Sequence, residues 1–184
     1  MTRPPAPPPS RDSDISEPTA DDDTLPCVLS FNANDPVGAG GLGSDALVIA
    51  SIGAHALPVV TGAYLRDSRD TVGHVALDDG AVAEQARLVA EDVPLHTIKV
   101  GFVGSAESLA AVAAFASDYP TVPLIAYMPD LSWWTDHEID AYLDAFRELL
   151  LPQTTVLVGN NTTLRHWLLP ESATKRHTRA TDLA

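Results

Sequence analysis

The chain has 184 residues, a formal net charge of −14 at pH 7 and a 45% share of hydrophobic residues. This is enough for one domain with a real core, and the acidic balance argues against a nucleic-acid-binding surface or an anionic-membrane partner. No apolar run approaches the roughly 20 residues of a membrane span, and the single cysteine, Cys27, excludes an intramolecular disulfide.

Residues 1–25 are Pro-rich and then acidic, with Asp12, Asp14, Glu17, Asp21, Asp22 and Asp23 ahead of the first apolar run. They hold too few apolar groups to offset the entropy of ordering, so a disordered leader is expected. The stretch Pro4–Pro9 has the composition of a polyproline II ligand or of a plain solubilising tail. The start lacks a signal peptide's apolar region, which points to the cytoplasm.

From Pro26 strands and helices alternate. A strand is predicted at about 27–33, with Cys27 packed in it, and a helix at about 43–53 closed by Gly53. A second strand covers about 57–64, and Val72–Leu77 forms a short extended piece. A helix at about 79–92 puts Val82, Ala86 and Val89 on one face, and a strand follows from His96 to Phe102. Ser105 caps a helix at about 106–117 that carries Leu109, Val112 and Phe115. A strand at Val122–Met128 leads to the clearest helix start in the chain, Thr135 with Glu138 three residues later, a capping box. Ile139, Tyr142, Leu143, Phe146 and Leu150 continue it as an apolar stripe. A strand at Thr155–Gly159 and a helix at about 161–169 complete the series. The later strands are continuous apolar runs, as in parallel strands buried on both faces. The predicted product is a three-layer α/β sandwich over residues 26–170 with a mainly parallel central sheet and right-handed crossovers. Residues 171–184 form a polar, basic tail with no apolar period.

The loop between the first strand and first helix, Asn34 to Asp45, carries the chemistry. Its glycines let backbone approach a ligand closely, and the free N–H groups of a helix start favour an anionic or hydrogen-bond-accepting ligand. Asp45, placed in the first helical turn, can point a carboxylate into the same crevice, or simply stabilise the helix dipole. Gly38–Gly43 also satisfies G-x-G-x-x-G, the dinucleotide fingerprint of dehydrogenases. Four residues separate the strand end from Gly38, however, whereas the fingerprint begins at the strand end. A glycine-rich turn with no ligand is the third reading.

The loop Ala33-Asn34-Asp35-Pro36-Val37-Gly38-Ala39-Gly40-Gly41-Leu42-Gly43-Ser44-Asp45 resembles the G-[S/T]-D-P-S-G-G-A-G-I-Q-A-D loop of hydroxymethylpyrimidine/phosphomethylpyrimidine kinases, of the ribokinase-like superfamily. Val59-Val60-Thr61-Gly62-Ala63, Lys99-Val100-Gly101-Phe102 and Ser105-Ala106-Glu107 extend the resemblance, which runs from Cys27 to about Leu169. It implies a ribokinase-like fold and transfer of the γ-phosphoryl of ATP, with Mg²⁺, to a hydroxymethyl-aminopyrimidine and then to its monophosphate, in thiamine biosynthesis. It assigns the substrate cradle to Ala33, Asp35, Gly38, Gly40, Asp45, Arg66 and Phe102. Asp45 matches the aspartate that holds the pyrimidine's amino group and ring nitrogen. Arg66 stands for a glutamine, and as a pure donor it suits an anionic group better. Phe102 stands for a methionine and can stack on a ring.

On the nucleotide side only Asn160 matches, within a T-P-N-x-x-E pattern whose glutamate is here Thr163. Met128 stands where the family has an aspartate before proline. The six histidines show no metal-ligand spacing, and no metal ligand is assigned. The family's later G-x-G-[C/D] anion hole has no counterpart, so the carboxyl-terminal part of the fold is expected to be missing. The basic end reads either as a natural terminus or as the product of a shifted reading frame. Apolar surface near the last strand and Trp167 then calls for a homodimer or a partner chain. Trp133 and Trp134, expected to be exposed, either cover a pocket or pack a loop. A relative that binds a pyrimidine without turning it over is the alternative to an active kinase, and a dinucleotide-binding dehydrogenase fragment the more distant one.

Overall fold

The computed structural model describes residues 25–169. The expected leader and basic tail lie outside the described residues, apart from residue 25. Five helices and six strands follow in order: β1 Cys27–Asn34, α1 Gly41–Ser51, β2 His55–Arg66, β3 Thr71–Ala76, α2 Asp79–Asp92, β4 Thr97–Val100, α3 Ala106–Ser117, β5 Leu124–Tyr127, α4 Asp136–Ala145, β6 Val156–Val158 and α5 Asn161–Leu168. They form one six-stranded sheet in the order β3-β2-β1-β4-β5-β6. Every pairing is parallel except β2 with β3, which is antiparallel. The piece expected merely to be extended is therefore an edge strand, hydrogen-bonded to the second half of β2.

Local chemistry accounts for most element ends. Asp78 caps α2 by accepting from the Ala81 N–H at 3.1 Å, and Ser105 caps α3 through the Ser108 N–H at 3.0 Å. At α4 the Glu138 carboxylate accepts from the Thr135 N–H at 3.1 Å and its hydroxyl at 2.7 Å. That helix does not stop at Ala145. It widens into a π turn, Phe146–Leu150, and tightens into a 3₁₀ turn, Leu151–Gln153. The π turn keeps both Phe146 and Leu150 buried.

Alternation along β1 divides the layers. Leu29 and Phe31 point to one face, where Phe31 meets Phe115 of α3 edge-on at 5.7 Å. Ser30 and Asn32 point to the other, where both bond to Asp45 of α1. So α1 and α3 cover opposite faces, as right-handed crossovers on the two sides of β1 require. The core lies on the α3 side, around Leu29, Phe31, Ile98, Leu109, Leu124 and Tyr142. On the α1 side, register aligns Ser30, Lys99, Ile125 and Val156 across four strands. Lys99 and Ile125 of that row line the cleft described next.

Candidate functional site

A cleft of about 570 Å³ opens beside α1, at the carboxyl ends of the parallel strands, where ligands of open α/β sheets bind. Its wall begins with the loop from β1 to α1. Asp35 organises that loop from within. Its side chain is only 2% exposed. Its Oδ1 accepts from the Val37 N–H at 3.0 Å and its Oδ2 from the Gly40 N–H at 3.2 Å. Gly41 starts the helix at φ +69°, and a Cβ there would lie 2.7 Å from the Ala33 carbonyl oxygen and 2.8 Å from the Asp35 nitrogen. Only glycine lets the loop close so tightly on the strand end. Gly40, by contrast, is extended and has open space around it.

Because α1 begins at Gly41, Asp45 is its fifth residue and lies beyond the first turn. This corrects its expected placement and removes the helix-dipole account. Its side chain turns onto the sheet instead. Three donors converge on Oδ2: the Ser30 hydroxyl at 2.9 Å, the Asn32 amide at 2.8 Å and the Lys99 ammonium at 2.5 Å. None of the three engages Oδ1, which leaves an oriented acceptor on the cleft wall. Asn32 is held in turn. Its Oδ1 accepts from the Ala33 and Phe102 N–H groups at 3.0 and 3.1 Å, so its Nδ2 must donate to Asp45. Gly101 makes room for it, since a Cβ there would fall 2.5 Å from the Asn32 side chain.

Arg66 enters from the end of β2, with a guanidinium nitrogen 3.6 Å from Asp35 Oδ2. Of the charged residues Arg66, Asp67, Arg69 and Asp70 around the β2–β3 turn, Arg66 is the one that lines the cleft. Tyr64, Phe102 and Trp133 form an aromatic wall, with Tyr64 stacked on Phe102 at 5.0 Å and Trp133 edge-on to both. Burial, reinforced by the neighbouring Tyr142, Tyr127 and Asp35, pushes the Tyr64 phenol far above its ordinary value, so it is a neutral hydroxyl at any physiological pH. Trp133 and Trp134 are half-buried and packed against the core rather than exposed.

Of the residues assigned to the substrate cradle, Asp35, Gly40, Asp45, Arg66 and Phe102 line this cleft. Ala33 and Gly38 do not. Ala33 is buried, its N–H shared between the Phe102 carbonyl and Asn32. Asn160 sits apart, in a hollow of about 400 Å³ with Asp130, Ser132, Thr162, Thr163, His166 and Trp167. There its side chain caps α5, accepting from the Thr163 N–H at 2.7 Å. Ser30, Asn32, Lys99 and Tyr64 were not singled out as site residues. Polar side chains inside apolar strands were the available signal for the first three, since each must find a partner when buried.

A family model for phosphomethylpyrimidine kinase matches residues 35–183, most of the chain. A hydroxymethylpyrimidine/phosphomethylpyrimidine kinase of Streptomyces coelicolor is 29% identical over 138 residues, 74% of this chain and 51% of that protein. The Escherichia coli kinase of that name is 25% identical over 147 residues, 79% of this chain and 52% of its own length. The chain thus spans about half the length of these curated relatives. Among solved structures, the phosphomethylpyrimidine kinase of Clostridium difficile superposes with a TM-score of 0.70 at 18% identity, covering 85% of this chain and 68% of that one. The Staphylococcus aureus pyridoxal kinase in complex with AMP-PCP and pyridoxal gives 0.67 at 16% identity, covering 78% and 51%. The fold is that of these kinases, and the chain belongs to the phosphomethylpyrimidine kinase family.

Proposed function

We propose that this chain binds an aminopyrimidine bearing a hydroxymethyl group in the Asp45 cleft and serves its ATP-dependent phosphorylation, followed by that of the monophosphate. The observation that carries the reading is Asp45, which lines the cleft with three donors gripping Oδ2 and none of them on Oδ1. A fixed acceptor fits the amino edge of a pyrimidine, and the nearby wall of Tyr64, Phe102 and Trp133 suits a flat ring. Lys99 brings a positive charge to the same wall. These residues orient the substrate, which is the larger share of the work in phosphoryl transfer.

The nucleotide side is thinner. The hollow around Asn160 offers amide and hydroxyl groups but no lysine or arginine among its lining residues. Mg²⁺ fits poorly there. Both Asp130 oxygens are engaged by Ser132, Thr163 stands where the family carries an acid, and Met128 is buried. Among the described residues no group of three or more His, Cys, Asp or Glu could hold a metal ion. These same residues favour a second reading, binding without turnover.

Calorimetry with 4-amino-5-hydroxymethyl-2-methylpyrimidine, on wild type and Asp45→Asn, tests the first claim, and ADP release with ATP and Mg²⁺ separates the two readings. Binding lost in Asp45→Asn with ADP release above background supports the kinase. Binding without ADP release supports the silent relative. Equal affinity of the two proteins refutes the cleft assignment.

A further inference from the structure

His74, on the edge strand β3, ties three separate elements together. Its Nε2 lies 2.7 Å from the Gly104 carbonyl oxygen, in the turn after β4, and its Nδ1 lies 3.0 Å from the Trp134 indole nitrogen, in the loop before α4. The partners fix the proton. An indole N–H can only donate, so Nδ1 must accept; a carbonyl can only accept, so Nε2 must carry the hydrogen. Both bonds form only with a neutral ring in its Nε2–H form. A second proton on Nδ1 would face the Trp134 N–H, donor against donor.

What His74 holds is the cleft wall. Its ring packs on Phe102, Trp133 and Trp134 at 5.0–5.4 Å between centroids. Among the described residues, the other hydrogen bonds from Asp130 to Trp134 run within the loop itself. The Trp134–His74 bond is thus the hydrogen bond from these residues to another element, and it adds to the packing of Leu131, Trp133 and Trp134 in holding the loop that bears Pro129, Asp130 and Trp133 of the cleft lining. We infer that His74 is a positioning residue whose neutral form clamps this loop shut, and whose protonation releases it and loosens the aromatic wall.

The groups facing His74 come from β2, the Gly104 turn, the loop before α4 and α4 itself. Glu138 of α4 acts on it electrostatically and favours the imidazolium. Tyr64, opposite it on β2, and Tyr142 of α4 are phenols pushed upward chiefly by burial, so they stay neutral. Asp130 in the loop is occupied by Ser132, and the Gly104 turn presents a carbonyl. The hydrogen-bond geometry requires the neutral ring, and Glu138 is the one carboxylate among these groups that would favour the charged one.

Nitrogen-15 NMR of the imidazoles at about pH 8 should show His74 as the Nε2–H tautomer. The Nδ1–H tautomer would overturn the inference without reference to any ligand. Tryptophan emission should then be followed from about pH 8 to about pH 5.5, across the imidazole range. A Trp167→Phe background is needed, because His166 lies against Trp167 at 4.2 Å and would report its own titration. A transition is expected with His74 present and none in His74→Gln, which keeps a donor and an acceptor but cannot titrate. The same transition in both refutes the clamp. If His74→Gln fails to fold, the tautomer measurement on wild type still decides. A last arm rests on the aminopyrimidine reading. Affinity for the pyrimidine should fall about fivefold more on acidification in wild type than in His74→Gln, the effect of losing one neutral hydrogen bond. Clamp signatures present with no pyrimidine bound at any pH would sink the ligand reading alone.

Discussion

Three neighbouring glycines give the sharpest test of how the β1–α1 loop is built. Gly41→Ala forces a side chain into φ +69°, which costs roughly 1–2 kcal/mol for an L-residue. Its Cβ would also lie 2.7–2.8 Å from the Ala33 oxygen and from the nitrogen and Cβ of Asp35. These atoms belong to a strand end and a buried, doubly bonded aspartate, so they cannot swing aside. Overpacking of this kind adds roughly 1–3 kcal/mol. Gly38→Ala meets the same dihedral penalty at φ +71° but has open space, so it should cost only about 1–2 kcal/mol. Gly40→Ala, extended at φ −164° with nothing nearby, should lie within about 0.5 kcal/mol of wild type. At about 2–4 °C per kcal/mol for a chain of this size, calorimetric melts should order the variants Gly41→Ala lowest, by roughly 4–20 °C, then Gly38→Ala, then Gly40→Ala at wild type. A Gly41→Ala protein that melts with wild type, or a Gly40→Ala protein that melts with Gly41→Ala, would refute this account of the loop.

Arg66 reaches the cleft with its side chain 24% exposed. It should favour the pyrimidine monophosphate over the neutral alcohol by about 1.5–3 kcal/mol, the worth of a charge-assisted bond. Calorimetry with both ligands should show this preference, and Arg66→Gln should abolish it. Glu138 is held below its ordinary value by the Thr135 hydroxyl first and the Thr135 N–H second. A depressed carboxyl contributes stability that is present above its unfolded value and lost as pH falls through the folded one. Melting temperature should therefore drop as pH goes below about 4.5, and less steeply in Glu138→Gln. The outer side of α1 exposes Leu47 at 75%, Val48 at 61% and Ile52 at 74%, and its only charged residue, Asp45, is turned onto the sheet. Sedimentation should show concentration-dependent self-association that Leu47→Glu with Ile52→Glu reduces.

The alternation of strands and helices was legible because each buried strand is an apolar run of the right length and most helices carry a cap. Thr135, Ser105 and the apolar stripe after Glu138 sit where the pattern puts them. The antiparallel sense of β3 was not legible. Thr71–Ala76 is an edge strand, half open to solvent, and its pairing depends on Gly62, where a Cβ would clash with the Val75 oxygen at 2.2 Å. The start of α1 was placed two residues late because Gly41 and Gly43 are poor helix formers. That small shift moved Asp45 out of the first turn and changed the reason for its orientation. The network around it, Ser30, Asn32 and Lys99, joins residues 13 to 54 positions away. A single sequence shows that such buried polar groups need partners, but not which ones. The same applies to His74 and Trp134, 60 residues apart.

The central claim is that the Asp45 cleft holds an aminopyrimidine. Amide and side-chain NMR shifts should be recorded while 4-amino-5-hydroxymethyl-2-methylpyrimidine is titrated into the full chain. The account predicts saturable shifts at Asn32, the Asp45 turn, Lys99 and Phe102, with the Asn160–Thr163 segment unmoved until a nucleotide is added. Shifts confined to the Asn160 hollow, or none at millimolar pyrimidine, would contradict it.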